Sequence, residues 1–130
     1  MLRILLVDDE PLVLIGLQGM LEWEKLGYTV CGTARNGKLA LELIEREKPD
    51  IVIADVKMPV MDGLTATKTI RSLERQDAKT IPIIAMTANA FREDAEKCME
   101  AGMNAHLAKP LDDKTIKQTI CEELRSSRDR

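Results

Sequence analysis

Five short apolar runs, each followed by a longer amphipathic segment, set the architectures open to this chain. The runs cover residues 2–7 (LRILLV), 28–33 (YTVCGT), 51–54 (IVIA), 81–86 (IPIIAM) and 105–108 (AHLA). The first, third and fourth are near-continuous in Ile, Leu and Val, as in strands buried on both faces of a parallel sheet. The second and fifth are more mixed, which places them at the sheet edges. Helical periodicity fills the intervals at 11–24, 37–47, 64–75, 91–101 and 112–125. Pro11 suits a first helical turn, Gly27 and Gly102 follow helices as stop signals, and Asp112 suits an N-cap. Strict alternation with right-handed crossovers predicts an α/β fold of five βα units, doubly wound around one parallel sheet.

Composition narrows the function classes. A chain of 130 residues fits one domain, here residues 1–125 with a frayed tail at 126–130. A net charge of −3 supplies no cationic excess for phosphate backbones, so no direct nucleic-acid partner is expected. The three cysteines, Cys31, Cys98 and Cys121, lie far apart without metal-ligand spacing, as in a chain with reduced thiols. No apolar run approaches the roughly 20 residues of a spanning helix. The expectation is a soluble, cytoplasmic domain without membrane contact of its own, unless a longer parent chain anchors it.

In an open doubly wound sheet, ligands bind outside the carboxyl ends of the strands. That rule selects Asp8 and Asp9 after the first strand, Asp55 after the third, Thr87 after the fourth and Lys109 after the fifth. Three carboxylates in one crevice repel each other, and a divalent cation relieves the conflict. Oxygen-only ligands suit Mg²⁺, with Asp9 and Asp55 as direct ligands, Asp8 through water, and a backbone carbonyl just after Asp55. A carboxylate can also act as a nucleophile toward phosphorus, with Mg²⁺ and an ammonium neutralising charge and Thr87 donating a hydroxyl. Taken singly, an Asp-Asp-Glu after a strand is an ordinary helix-start signal, and a lone Thr or Lys-Pro says almost nothing. Their order, one set per strand end, carries the inference.

The stretches 4–11 (ILLVDDEP), 50–63 (DIVIADVKMPVMDG), 83–88 (IIAMTA) and 101–110 (AGMNAHLAKP) together resemble the receiver domain of two-component response regulators, over essentially the whole chain. The resemblance includes the chemotaxis-regulator type. It implies the flavodoxin-like strand order 2-1-3-4-5, Asp55 as phosphoacceptor, and Asp8, Asp9, Asp55 and the carbonyl of Lys57 around the metal. Thr87 becomes the switch hydroxyl, Lys109 the phosphate-binding ammonium, and a cis bond is implied before Pro110. Gly63 permits a close turn, Met58-Pro59 stiffens the segment after the nucleophile, and Met58 and Met61 read as gap-fillers. Ala88 is small, as the family needs for access to the carboxylate.

Two features depart from that pattern or lie outside it. Family members usually carry Tyr or Phe where this chain has His106, its one histidine. Either His106 is a half-exposed polar residue on an edge strand, or its imidazole swings inward when Thr87 moves. In the first helix, Val13, Gly16, Leu17, Met20 and Trp23-Glu24 trace the inward stripe at about 100° per residue. Leu14 then lies at the boundary and Ile15 points away from the core, beside the crevice, as part of a docking patch for the phosphodonor.

The leading function is therefore a signalling switch. A histidine kinase or phosphotransfer domain donates phosphate to Asp55, biasing the face made by the fourth helix, fifth strand and fifth helix. A phosphorylation-dependent homodimer is a further expectation. Such a protein is no enzyme beyond its own phosphorylation and dephosphorylation. An Mg²⁺-dependent aspartyl-nucleophile phosphatase is the alternative; it needs a substrate pocket or cap, and turnover of a phosphate ester beyond one equivalent identifies it. A phosphate-independent interaction module is the third reading, opposed by the intact acceptor set. Met1 beginning close to the first strand suits a stand-alone or N-terminal receiver. Residues 80–110 are more similar to receivers of hybrid sensor kinases, and the first half to those of transcriptional regulators.

Overall fold

The computed structural model describes residues 2–56, 63–73, 80–87, 92–109 and 111–128. Five strands, β1 (Leu2–Val7), β2 (Tyr28–Ala34), β3 (Ile51–Asp55), β4 (Ile83–Thr87) and β5 (Ala105–Ala108), alternate with five helices. The helices are α1 (Pro11–Met20), α2 (Gly37–Glu47), α3 (Gly63–Arg71), α4 (Arg92–Ala101) and α5 (Asp113–Arg128). All strand pairs are parallel, and the sheet order is β2-β1-β3-β4-β5. The two mixed runs are the edges, as expected. None of the described helices is long and apolar enough to cross a membrane.

Alternation along the inner strands divides the core in two. Ile4, Leu6, Ile51, Ile53, Ile84 and Met86 face Leu14 and Leu17 of α1 and Ile116 and Ile120 of α5. Leu5, Val7, Val52, Ala54, Ile83 and Ala85 face Ala40 and Ile44 of α2, Ile70 of α3 and Cys98 of α4. Each inner strand thus buries both of its faces, which explains why it reads as continuous apolar sequence. None of the three cysteines forms a disulfide among the described residues; Cys98 is buried, Cys31 half-buried and Cys121 exposed.

Local signals set most boundaries. Pro11 opens α1, and Asn36 caps α2 by accepting from the Leu39 amide at 2.9 Å. Asp112 accepts from the Thr115 amide at 2.7 Å, so the N-cap expected for α5 is present. That helix continues to Arg128, beyond the expected end at 125.

The first helix differs from its expected form. It stops at Met20, Leu21 turns extended, and a single 3₁₀ turn follows at Trp23–Leu26. Its buried residues are Leu14 and Leu17, with Val13 packed partly against them, whereas Gly16 and Met20 are exposed. Val13, Leu17 and Trp23 thus pack inward as expected, while Leu14 is inward in place of Gly16 and Met20. The reason lies in Leu21 and Trp23, both buried: a spacing of two suits extended chain rather than helix. The Trp23 indole N–H donates to the Leu17 carbonyl at 3.2 Å, fixing the break.

Candidate functional site

The carboxyl ends of β1 and β3 bring Asp8, Asp9 and Asp55 together. One oxygen from each lies within 4.8 Å of the others. Asp8 is fully buried and held at both oxygens: Oδ1 accepts from the Glu10 amide at 2.9 Å, and Oδ2 from Lys109 Nζ at 2.9 Å. Lys109 Nζ also stands 3.5 Å from Asp55 Oδ2. The amide of Lys109 donates to the Thr87 carbonyl at 2.8 Å, so the backbone itself carries the ammonium to the crevice from β5.

Asp55 is poised by its surroundings. Burial and then the neighbouring charge of Asp8 push its carboxyl from 3.8 up to about 6, against the pull of Lys109. Lys109 behaves in the opposite sense. Burial opposes its charge, yet the bond to Asp8 and the charges of Asp55, Asp8 and Glu10 raise its pKa above the ordinary lysine value. Three carboxylates against one ammonium leave about two negative charges when all are ionised, a balance suited to a divalent cation. With oxygen donors alone, the cluster fits a hard ion such as Mg²⁺.

Thr87 ends β4 with its side chain buried, and its hydroxyl has no hydrogen-bond partner among the described residues. A buried unpaired hydroxyl costs about 1–3 kcal/mol and calls for a ligand that satisfies it. Gly63 opens α3 against the end of β3. Its amide donates to the Val56 carbonyl at 2.9 Å, and a Cβ there would overlap the Asp55 carbonyl oxygen. The close approach foreseen for this glycine is therefore a requirement of the backbone.

His106 lies on the exposed face of β5, opposite Ala85 in register. It lines a shallow groove with Glu96, Met99 and Glu122, apart from the acidic crevice. Ile15 is 65% exposed, Leu12 81% and Met20 38%, so α1 presents three large apolar side chains, of which periodicity singled out Ile15. The expectations for Lys57, Met58, Pro59, Met61, Ala88 and Pro110 fall outside the described residues.

Comparison with known proteins agrees with this fold. The family model described as "Response regulator receiver domain" matches residues 4–121. Sensor histidine kinase RcsC of Escherichia coli K12 is 42% identical over 131 residues, 98% of this chain and 13% of RcsC. The transcriptional regulatory protein YesN of Bacillus subtilis 168, described as uncharacterized, is 38% identical over 94% of this chain and 32% of its own. The chain thus spans a minor part of these relatives. The receiver domain of sensor histidine kinase PA1611 from Pseudomonas aeruginosa PAO1 superposes with a TM-score of 0.81 at 36% identity. That match covers 95% of this chain and 97% of the neighbour, whose crystal structure has a magnesium ion coordinated in the active site cleft.

Proposed function

The chain belongs to the response regulator receiver domain family of two-component phosphorelay systems, and from that premise we propose that Asp55 accepts a phosphoryl group in an Mg²⁺-dependent reaction. The observation that carries this reading is the buried Thr87 hydroxyl, without a partner among the described residues, on the strand beside a carboxylate that already faces Lys109. A phosphoryl group on Asp55 would supply the acceptor that the hydroxyl lacks.

Asp8, Asp9, Asp55 and the carbonyl of Lys57 are the proposed metal ligands. Bound Mg²⁺ would supply charge neutralisation at the transferring phosphoryl group. The protein's own groups do the rest. Asp55 Oδ attacks phosphorus and forms the new O–P bond, while the donor's bond to phosphorus breaks and its leaving group departs with the electron pair. Lys109 exchanges its contact with Asp55 for one with the phosphoryl oxygens, and Thr87 donates to another of them. Thr87 and Lys109 sit on adjacent strands joined by the 2.8 Å backbone bond, so their response passes to the face of α4, β5 and α5. His106 lies on that face as the proposed switch position.

The proposed donor is a histidine kinase or phosphotransfer domain, docking at Ile15 and Leu12 beside the crevice. The relatives include sensor kinases, so a hybrid kinase is one setting proposed for this domain. Incubation with Mg²⁺ and a small acyl phosphate, followed by intact mass measurement, tests the reading. Wild-type protein should gain one phosphoryl group and Asp55→Asn none; no gain on wild type would refute it.

A further inference from the structure

Lys109 reaches the crevice on a four-residue edge strand whose own side chains specify its position weakly. Leu107 is buried in β5, Ala105 is half-buried, and His106 and Ala108 are exposed. Register follows from pattern where one face buries a substantial apolar set. Here a slip by one residue would turn Leu107 to the other face and move Lys109 by about 3.3 Å. Polar contacts fix the start of the strand instead.

Arg71, the last residue of α3, donates from Nε and Nη2 to the Gly102 carbonyl at 3.0 and 2.7 Å. It also donates to the Ile81 carbonyl at 2.8 Å and to Asn104 Oδ1 at 2.9 Å. That same Oδ1 accepts from the Ile83 amide at 2.9 Å, and the Asn104 amide donates to the Ile83 carbonyl at 2.8 Å. Gly102 has φ +107°, and a Cβ there would stand 3.1 Å from Arg71 Cγ, so both the turn and the guanidinium call for glycine. The planar fork thus ties the chain entering β4 to the turn entering β5, a geometry that a lysine cannot reproduce.

We infer that Arg71 is a positioning residue for Lys109: by pinning Gly102 and Asn104 against the start of β4, it sets the register of β5. That register determines where the ammonium meets Asp8 and Asp55. The inference rests on the proposed role of Lys109 but makes a separate prediction about cation binding. An ammonium between two carboxylates competes with a divalent ion, so displacing it should tighten binding of that ion. A merely structural loosening would weaken binding.

A double-mutant cycle with Arg71→Ala and Lys109→Ala tests this. Mg²⁺ affinity is read by calorimetry and phosphorylation rate by mass with a small acyl phosphate. Each single variant should bind Mg²⁺ about threefold or more tighter and react about tenfold or more slowly. The double variant should match Lys109→Ala in both. Multiplying effects, or weaker Mg²⁺ binding by folded Arg71→Ala, would overturn the inference. If Arg71→Ala does not fold, Asn104→Ala, which keeps the Gly102 and Ile81 bonds, takes its place in the same cycle and is judged by the same two outcomes. Failure of wild-type phosphorylation would strike the proposed function, while the Mg²⁺ cycle would still decide the role of Arg71.

Discussion

Burial and the charge of Asp8 raise the Asp55 carboxyl from 3.8 to about 6, so over that interval the folded chain binds a proton that the unfolded chain has released. Stability without metal should therefore fall as pH rises from about 4 to about 6 and stay lowered above. The shift from 3.8 to about 6 corresponds to at most about 3 kcal/mol. Asp55→Asn should accordingly stabilise the metal-free protein by about 1–3 kcal/mol near pH 7 and have little effect below about pH 4. Urea unfolding in the presence of a chelator measures both; equal stability of the two proteins at neutral pH would count against the buried, charge-crowded setting. Gly63→Ala places a methyl group against the Asp55 carbonyl, and should destabilise the fold by about 1–3 kcal/mol in the same assay. His106, exposed on β5, should be separable from the acceptor chemistry. His106→Ala is expected to leave Asp55 phosphorylation intact, and loss of phosphoryl incorporation would refute that separation.

At the scale of elements, α1 carries two glycines that the fold does not require. A Cβ at Gly16 or Gly19 would meet nothing within 4 Å, and neither residue has positive φ. Glycine in an exposed helix interior costs about 1 kcal/mol relative to alanine. Gly16→Ala and Gly19→Ala should each raise stability by about 0.5–1 kcal/mol in chemical denaturation. They lie on the same helix as the exposed Leu12 and Ile15, the docking surface proposed for the donor. Ile15→Glu should slow transfer from a kinase or phosphotransfer domain while leaving phosphorylation by a small acyl phosphate unchanged. Normal transfer from the protein donor would remove Ile15 from the docking surface. This helix was also the least legible in sequence. Its apolar residues nearly surround it, so periodicity placed Val13 and Leu17 inward correctly but also Gly16 and Met20, and left the buried Leu14 at the boundary. The extended break that buries Leu21 and Trp23 has no glycine or proline to announce it.

For the whole molecule, the alternation of runs made the sheet readable because strands buried on both faces must be apolar at every position. The strand-end rule then brought together Asp8, Asp9, Asp55, Thr87 and Lys109, which lie far apart in the chain. Contacts that depend on side-chain reach were not visible in the same way. The clasp of Arg71 on Gly102 and Asn104 spans 31 and 33 residues, and nothing in the spacing of those residues marks it. The 2.9 Å pairing of Lys109 with Asp8 is likewise a fact of geometry. The phosphoryl group is proposed to reside on Asp55 and to depend on the divalent ion. Borohydride reduction converts an aspartyl phosphate to homoserine, so treating protein incubated with an acyl phosphate and mapping its peptides locates the modified residue directly. Homoserine is expected at position 55 with Mg²⁺, and unmodified aspartate with chelator. Homoserine at another acidic residue, or equal modification without the ion, would contradict it.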